Sequence, residues 1–518
     1  MLLNEENLIH DYTERIKRSN ERLDYWCAYL KDRFFSDSKF AYRGICILDV
    51  LVTGLAVRDW ISSSPYYGRR GSGKSVLLDA RNVLKEYIKI LQAVSLSVIA
   101  FFREKKRKAR TGKTVFVAFE RRQAGAFIDA MDILRERARL TGVLTTRVAA
   151  HGFPPNFDHC HNVAYIEDFF RAGASGGLLV EYSRSRKWLD RVLQESVFLP
   201  KDLYAELYVF IKEIRAQLLR ALFFIDSAYS FISVERPRAV LAADNADGRA
   251  RAVFLTAKKA GIPTYHVPFG FIDLECYEEK YPVAGRKFVF SAQQKEILMH
   301  TFNLREEMLT VLGCPRFDNL FRIRGKTGVL RGGAAPFTII FGSQPSTKNG
   351  YSPFVKEIKM RRIGDLLHFI CCRRMPVKLL FKPHPDESDT DIREISVTAK
   401  RMGIDFEVIE RIDFEQIKNR VDFFISFESM LSLEFIILGI PVGFLVSVNE
   451  VPILKKACEQ GLAVELPAGN DWESVVRAVC ALDNGRTEAR ESYLSSEFTN
   501  TDGTASRELV DRVLAEIN

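Results

Sequence analysis

Residues 239–266 read AVLAADNADGRARAVFLTAKKAGIPTYH, and residues 423–446 read FFISFESMLSLEFIILGIPVGFLV. Each segment opens with an apolar run of strand length, Ala239–Ala243 or Phe423–Ile425. A polar turn follows (Asp244–Gly248 or Ser426–Ser429), then a helix-like stretch to Ala260 or Leu438. Both stretches stop at Gly-Ile-Pro before a second apolar run. Glycine ends a helix readily in the left-handed conformation, and a proline close behind prevents continuation. Two strand–helix–Gly-Ile-Pro–strand units, one per half, predict parallel α/β construction rather than an all-α or all-β protein.

Working outward, Phe337–Phe341, Val377–Phe381, Phe406–Ile409 and Val442–Val446 add strand candidates to the second half, and Thr114–Phe119 and Ala164–Ile166 to the first. Helical patterns follow Phe119 as far as Arg139 and cover Lys201–Val234 and Arg507–Ile517. Before residue 113 the spacing of Leu23, Trp26, Cys27 and Leu30, and of Val83, Tyr87, Ile90 and Leu91, is helical, with no strand-like run bounded by turns. The Gly/Arg-rich Arg322–Gly333 reads as a linker. The expected organisation is therefore a helical N-terminal extension (1–112), two doubly wound, Rossmann-like domains (113–330 and 331–482) facing a cleft, and a C-terminal helical segment (483–518). Ligands of open α/β sheets bind beyond the carboxyl ends of the strands, so chemistry is expected there.

Composition limits the remaining classes. With 518 residues, 47% hydrophobic and 27% charged, the chain can bury large cores and is not globally disordered. The apolar run Ile45–Val57 is too short for a transmembrane helix and carries Asp49. The acidic N-terminus lacks the order of a secretory signal, and nine scattered cysteines without a CxxC pair suit a reducing, cytoplasmic compartment. Of the net charge of +9, much sits in Arg103–Lys113, with seven Lys/Arg against one Glu directly after the apolar Val94–Phe102. Such a pairing can hold a protein at an anionic bilayer, would also attract nucleic acid, and otherwise is a solvated linker. Peripheral contact of Arg103–Lys113 with the inner face of the cytoplasmic membrane stands beside the solvated linker as a reading, and nucleic acid is not the expected partner.

Gly68–Ser75 (GRRGSGKS) satisfies GxxxxGK[ST], a phosphate-cradling loop, but the preceding ISSSPYY is polar and proline-broken where the mechanism needs a strand. It reads as a flexible basic turn, leaving a nucleotide hydrolase or kinase built on Lys74 as a rival. Lys382-Pro383-His384-Pro385 follows VKLLF directly. The flanking prolines fix His384 at a strand end, where its imidazole and Lys382 can meet a phosphate. Ser426 and Ser429 stand between a strand and a helix, where a cap hydroxyl and free N–H groups can hold a phosphate, or merely cap. Glu434 in the ensuing helix would take ribose hydroxyls, or be a surface acid. Asp244 and Asp247 follow AVLAA, where a carboxylate could deprotonate a hydroxyl; one of them is expected only to cap the helix opening at Gly248. Gly342-Ser343-Gln344 after FTIIF would let backbone approach a nucleotide. No metal site is expected, because the dense group His159-Cys160-His161 lacks a distant ligand pair.

Asp247-Gly248, Leu312-Gly313-Cys314-Pro315-Arg316-Phe317-Asp318, Lys382-Pro383-His384-Pro385, and Ser429 to Glu434 leading into Gly439-Ile440-Pro441-Val442 occur in this order across residues 239–446. In that order the chain resembles bacterial GT-B glycosyltransferases of surface and capsular polysaccharide synthesis that carry a His-Pro motif, namely sialyl-, polysialyl- and Kdo-transferases. It is also similar to CDP-glycerol glycerophosphotransferases. The resemblance implies an inverting, metal-independent transferase without a resident cofactor, using a nucleotide-sugar co-substrate (CMP-linked Kdo or sialic acid favoured) and a glycan or lipid-linked acceptor. It makes Asp244 or Asp247 the base and His384 the stabiliser of the departing phosphate, with Gly342, Ser343, Gln344, Lys382, Pro385, Ser426, Ser429 and Glu434 on the donor. The chain departs from the families in having Pro268-Phe269-Gly270 where Gln-His-Gly is frequent. A non-hydrolysing sugar epimerase would share the fold and need no acceptor.

Overall fold

The computed structural model describes residues 17–18, 20–30, 41–52, 113–119, 121–137, 139, 141–150, 153, 162–170, 175–272, 277–324, 336–345, 356–372, 376–385, 387–418, 420–449, 451–466 and 486–517. The loop at 68–75, the basic run 103–112, the His159–His161 group and most of the linker lie outside the described residues.

A small antiparallel hairpin, β1 (Ala41–Tyr42) and β2 (Ile45–Cys46), precedes residue 113, where no strand was expected. Two-residue strands carry no readable alternation. What closes them is the turn, in which Arg43 and Gly44 both have positive φ (52° and 71°), as a tight two-residue hairpin requires.

Seven parallel strands then form one sheet: β3 (Thr114–Val117), β4 (Thr141–Thr145), β5 (Asn162–Tyr165), β6 (Ala239–Ala242), β7 (Thr264–His266), β8 (Arg286–Val289) and β9 (Leu309–Val311), in the order β5-β4-β3-β6-β7-β8-β9. Six more form a second: β10 (Phe337–Gly342), β11 (Val377–Lys382), β12 (Asp405–Val408), β13 (Phe423–Ser426), β14 (Val442–Phe444) and β15 (Ala463–Glu465), in the order β12-β11-β10-β13-β14-β15. Each sheet grows outward on one side, returns to the middle and grows on the other, the doubly wound order with a switch point beside its first strand. Buried on every residue, β3, β6 and β13 read as continuous apolar runs. Strands β4, β8, β9 and β15 were not anticipated, since Gly142, Arg286, Lys287, Thr310 and Glu465 interrupt runs of only three to five residues.

In the first domain α1 (Ile128–Glu136) packs one sheet face, while α2 (Lys201–Glu235), α3 (Gly248–Lys259) and the helix Ser175–Glu195 pack the other. The described N-terminal residues are part of this domain rather than an extension from it: Leu23, Trp26, Leu30, Ile47, Leu48 and Val50 join the core formed with α2 and α3. Arg251 of α3, 1% exposed, fastens them. Its Nε donates to the Asp49 carbonyl (2.6 Å), and its Nη1 to the carbonyls of Asn245 (3.0 Å) and Tyr281 (2.8 Å). The backbone of Val50 passes so close to Gly248 that a Cβ there would lie 3.2 Å from its carbonyl oxygen. Lys113, which the sequence groups with the basic run, is buried and paired to Glu235 (2.5 Å), so it adds no surface charge.

In the second domain, α4 (Lys356–Cys371) packs behind β10 and β11, and α5 (Met430–Ile437) follows β13. The C-terminal helices divide between the domains. From α6 (Arg486–Glu497), Tyr493 and Leu494 enter the second-domain core, whereas Leu509, Val510, Val513 and Leu514 of α7 (Ala505–Ile517) enter the first beside Phe116 and Phe127. Gly313, at φ +91°, makes the crossing possible, because a Cβ would fall 2.1 Å from the Thr499 carbonyl oxygen. Asp318 then caps α7, accepting from the N–H groups of Ala505 (3.0 Å) and Ser506 (2.7 Å); its burial pushes its carboxyl pKa up, and those amides hold it down.

Replacing Arg251 with alanine removes the guanidinium from three carbonyls, one buried and two partly buried, at a cost of roughly 1 kcal/mol each. The Arg251→Ala protein is expected to lose about 3 kcal/mol of stability in urea denaturation; a loss within about 0.5 kcal/mol, as for an ordinary surface change, would contradict the anchoring role.

Candidate active site

The register brings the candidate residues to two level edges. In the second sheet Gly342 pairs with both Lys382 and Ser426, so Ser343, His384 and Ser429 all emerge just past one line. In the first, Val117 pairs with Ala242 and Ala242 with His266, so Phe119, Asp244 and the Val267–Phe271 loop leave together. Asp244 stands at the β3/β6 switch point; Ser343, Gln344 and Ser429 stand at the β10/β13 switch point. The edges touch. The Phe271 N–H donates to Met430 Sδ (3.1 Å), and Arg316, just past β9, donates Nη1 to the Phe269 carbonyl (3.2 Å) and Nη2 to Glu434 Oε1 (2.5 Å). Glu434 is thus a buried interdomain anchor, not a surface acid.

On the first-domain wall, Asp244 Oδ1 accepts from the N–H groups of Ala246 (2.7 Å) and Asp247 (3.1 Å), closing an Asx turn. Its Oδ2 accepts from Gln123 Nε2 (2.9 Å), whose Oε1 in turn accepts from the Phe119 N–H (2.7 Å). Asp247 caps α3 through the Arg249 N–H (2.7 Å) and also receives the Arg249 guanidinium, which lies 4.7 Å from the Phe119 ring centre. The capping aspartate is therefore Asp247. Each carboxylate oxygen has two lone pairs, and one of those on Asp244 Oδ2 is taken by Gln123 Nε2.

Behind this wall, burial and the neighbouring Lys287 drive the fully buried His266 well below its usual pKa, against a backbone bond to Ala243. Lys287 is itself buried and paired with Glu279.

On the second-domain wall, His384 and Lys382 are partly exposed and Pro385 is exposed. Burial lowers the Lys382 pKa, opposed by Glu410, and its Nζ donates to the Pro383 carbonyl (2.8 Å). Ser429 caps α5 through the Leu431 N–H (3.2 Å). Ser426 is wholly buried, bonded to Ser432 (2.9 Å) and the Phe427 carbonyl (3.1 Å). The space beside Gly342 is filled by the Phe424 ring, 2.9 Å from where a Cβ would stand, so packing requires a glycine there. Among the described residues no cluster of metal ligands occurs, and no helix is long and apolar enough to cross a membrane.

Sequence reasoning passed over Gln123, Arg316 as a partner of Glu434, His266, and the buried Lys359–Glu387 pair beneath the His384 loop. Gln123 alone had a signal, a polar residue in the short helix Arg121–Gly125 that follows β3; the others are partners distant in sequence.

Two doubly wound domains whose strand carboxyl edges meet across a polar crevice have the GT-B fold. No protein-family model matches the chain, and no curated protein matches it. Solved structures similar to it include S. aureus MnaA in a co-structure with UDP (14% identity, 79% of this chain and 97% of that one, TM-score 0.47). Others are the UDP-GlcNAc 2-epimerase from Neisseria meningitidis bound to UDP-GlcNAc (13%, 78% and 100%, 0.47) and Acinetobacter baumannii MurG (13%, 78% and 99%, 0.44). Similarity this low has no bearing on activity; the fold assignment rests on strand order and polarity.

A histidine buried neutral stabilises the fold above its unfolded pKa, near 6.5, and that stability is lost as pH falls, because the unfolded chain takes up a proton the folded one refuses. Between pH 6.5 and 5.5 the wild type is expected to lose stability with a slope approaching 1.4 kcal/mol per pH unit from His266. The slope should flatten in His266→Gln, measured by urea denaturation at each pH; equal slopes in both proteins would refute the neutral histidine.

Proposed function

We propose that the chain is an inverting, metal-independent glycosyltransferase that moves a sugar from a nucleotide donor onto a surface glycan or lipid-linked acceptor. The observation that carries this reading is the meeting of the two carboxyl edges, with an acid at one switch point and the His384 loop beside the other. Asp244 Oδ2 takes the proton of the acceptor hydroxyl as its oxygen attacks the anomeric carbon. The bond from that carbon to the phosphate oxygen breaks, and the electron pair leaves with the nucleotide. His384, Lys382 and the amino end of α5 at Ser429 face the growing negative charge, with Ser343 and Gln344 beside them. Groups fixed before the reaction and aimed at developing charge lower its barrier without reorganising. Asp247, held by its cap and by Arg249, is a positioning acid, and Glu434 acts through the interface.

The resemblance of Lys382–Pro385 to His-Pro transferases favours a CMP-linked donor such as Kdo or sialic acid, on the cytoplasmic side. The basic residues 103–112 would hold the enzyme at the inner face of the membrane. A CDP-glycerol donor is the neighbouring chemistry, because the same phosphate site would serve it.

A thermal-shift panel of CMP, CDP, UDP, GDP and ATP should give its largest rise with a cytidine nucleotide. A rise with ATP alone that Lys74→Ala abolishes would instead support a phosphate-loop enzyme. With donor and acceptor supplied, His384→Ala and Asp244→Asn should each lower kcat by about 100-fold or more, and Asp247→Asn by less. Full turnover by His384→Ala would remove the leaving-group role, and conversion of a nucleotide sugar without acceptor would mark an epimerase.

A further inference from the structure

In the loop that presents His384, the Glu387 N–H donates to the His384 carbonyl (2.9 Å). The Glu387 side chain does not turn to solvent. It runs inward beneath the loop to Lys359 of α4, and the Nζ and Oε1 of this pair are in contact, with both side chains fully buried. Lys359 also lies 3.5 Å from Asp391, whose N–H is capped by Ser388 (3.1 Å) and whose carboxylate pairs with Lys356 (3.0 Å). Ser343, the first residue beyond β10, borders the same carboxylate; burial pushes the Glu387 pKa up, while Lys359 and Ser343 pull it down. A single buried carboxylate thus connects the His384 turn, the end of β10 and a core helix.

We propose that Lys359 and Glu387 are positioning residues that fix the His384 turn in the orientation needed to meet a phosphate. This rests on the leaving-group role proposed for His384. Burying two charges is costly, and an apolar pair of similar volume is frequently as stable or more so. Geometry is what the pair adds. Prolines 383 and 385 restrict the backbone on either side of His384 but leave the loop free to pivot about its strand. A charge that must stay paired inside the domain removes that freedom, because any pivot drawing Glu387 outward takes from the buried Lys359 its nearest carboxylate and leaves it the longer contact to Asp391 (3.5 Å).

The test is a double-mutant cycle on the full-length protein, using CMP and cytidine as probes so that the ratio of their affinities isolates the phosphate contribution. His384→Ala, the paired change Lys359→Met/Glu387→Gln, and their combination would be compared. The paired change leaves no lone buried charge; Lys359→Arg is the second variant should it fail to fold. Positioning predicts that His384→Ala and the paired change each cut the CMP-to-cytidine ratio by about tenfold, and that the combination is little worse than either alone, since groups acting as a unit are not additive. In protein carrying labelled histidine, the His384 ring signal should also shift in the paired variant and return toward wild type in Lys359→Arg. Additive losses, or a wild-type ratio and an unmoved His384 signal in a folded variant, would overturn the proposal. A His384→Ala protein with an unchanged ratio would bring down the leaving-group reading itself, and the clamp with it, which is a different result from failure of the clamp alone.

Discussion

The segment Leu312–Asp318 is where the two domains are made one. Arg316 reaches Glu434 in the second domain, Asp318 caps the helix returning to the first, and Gly313 leaves room for the Thr499 carbonyl that crosses between them. Energetically the ion pair is not chiefly a source of stability, since a buried pair roughly repays its own desolvation. Its force lies in what happens when it breaks. Glu434, 5% exposed, would keep its charge without a partner, a penalty of several kcal/mol set against any relative movement of the domains that parts it from Arg316. The crevice accordingly has one preferred width, set within a few residues of the groups that line it.

The same logic recurs along both walls. Asp244 is held by two backbone amides and Gln123, and Asp247 by its helix and Arg249. The His384 turn is held by Glu387 and Lys359. These side chains are fixed by second partners that touch no ligand in the proposed reaction, as preorganised electrostatics requires. Loops tethered at one carboxylate or amide keep a single geometry, whereas loops held only by apolar contact can slide.

Much of the fold was legible because it rests on local signals. AVLAA and FFIS are long enough to read as buried strands, and Gly-Ile-Pro ends each following helix with a φ that glycine supplies (73° at Gly261, 78° at Gly439). The hidden strands are three to five residues long and carry Gly142, Lys287 or Glu465, whose burial or pairing is decided by other parts of the chain. In the candidate site, sequence located residues but not their neighbours. Ser426 and Ser429 stand three positions apart in one turn, yet one faces Ser432 in the core and the other caps a helix. Gly342 looks like a glycine cleared for a ligand, yet the Phe424 ring fills the space beside it, and Gly248 makes room for Val50, 198 residues upstream of it in the chain. Tertiary packing alone decides such cases.

That distinction bears on how the motifs shared with His-Pro transferases are to be understood. In Leu312–Asp318, which follows β9, the glycine and the aspartate act on the C-terminal crossing and the arginine on the interface. Asp247-Gly248 likewise caps a helix and admits the N-terminal segment. What the resemblance picks out in this chain is therefore largely the set of contacts that hold its two sheets edge to edge. The parts that meet substrate in the proposed reaction are fewer: Asp244 Oδ2, His384, Lys382 and the amino end of α5. A fold selected for stability alone would fill their surroundings with apolar side chains, since buried charges such as Lys359 with Glu387 and Lys287 with Glu279 give little net stability.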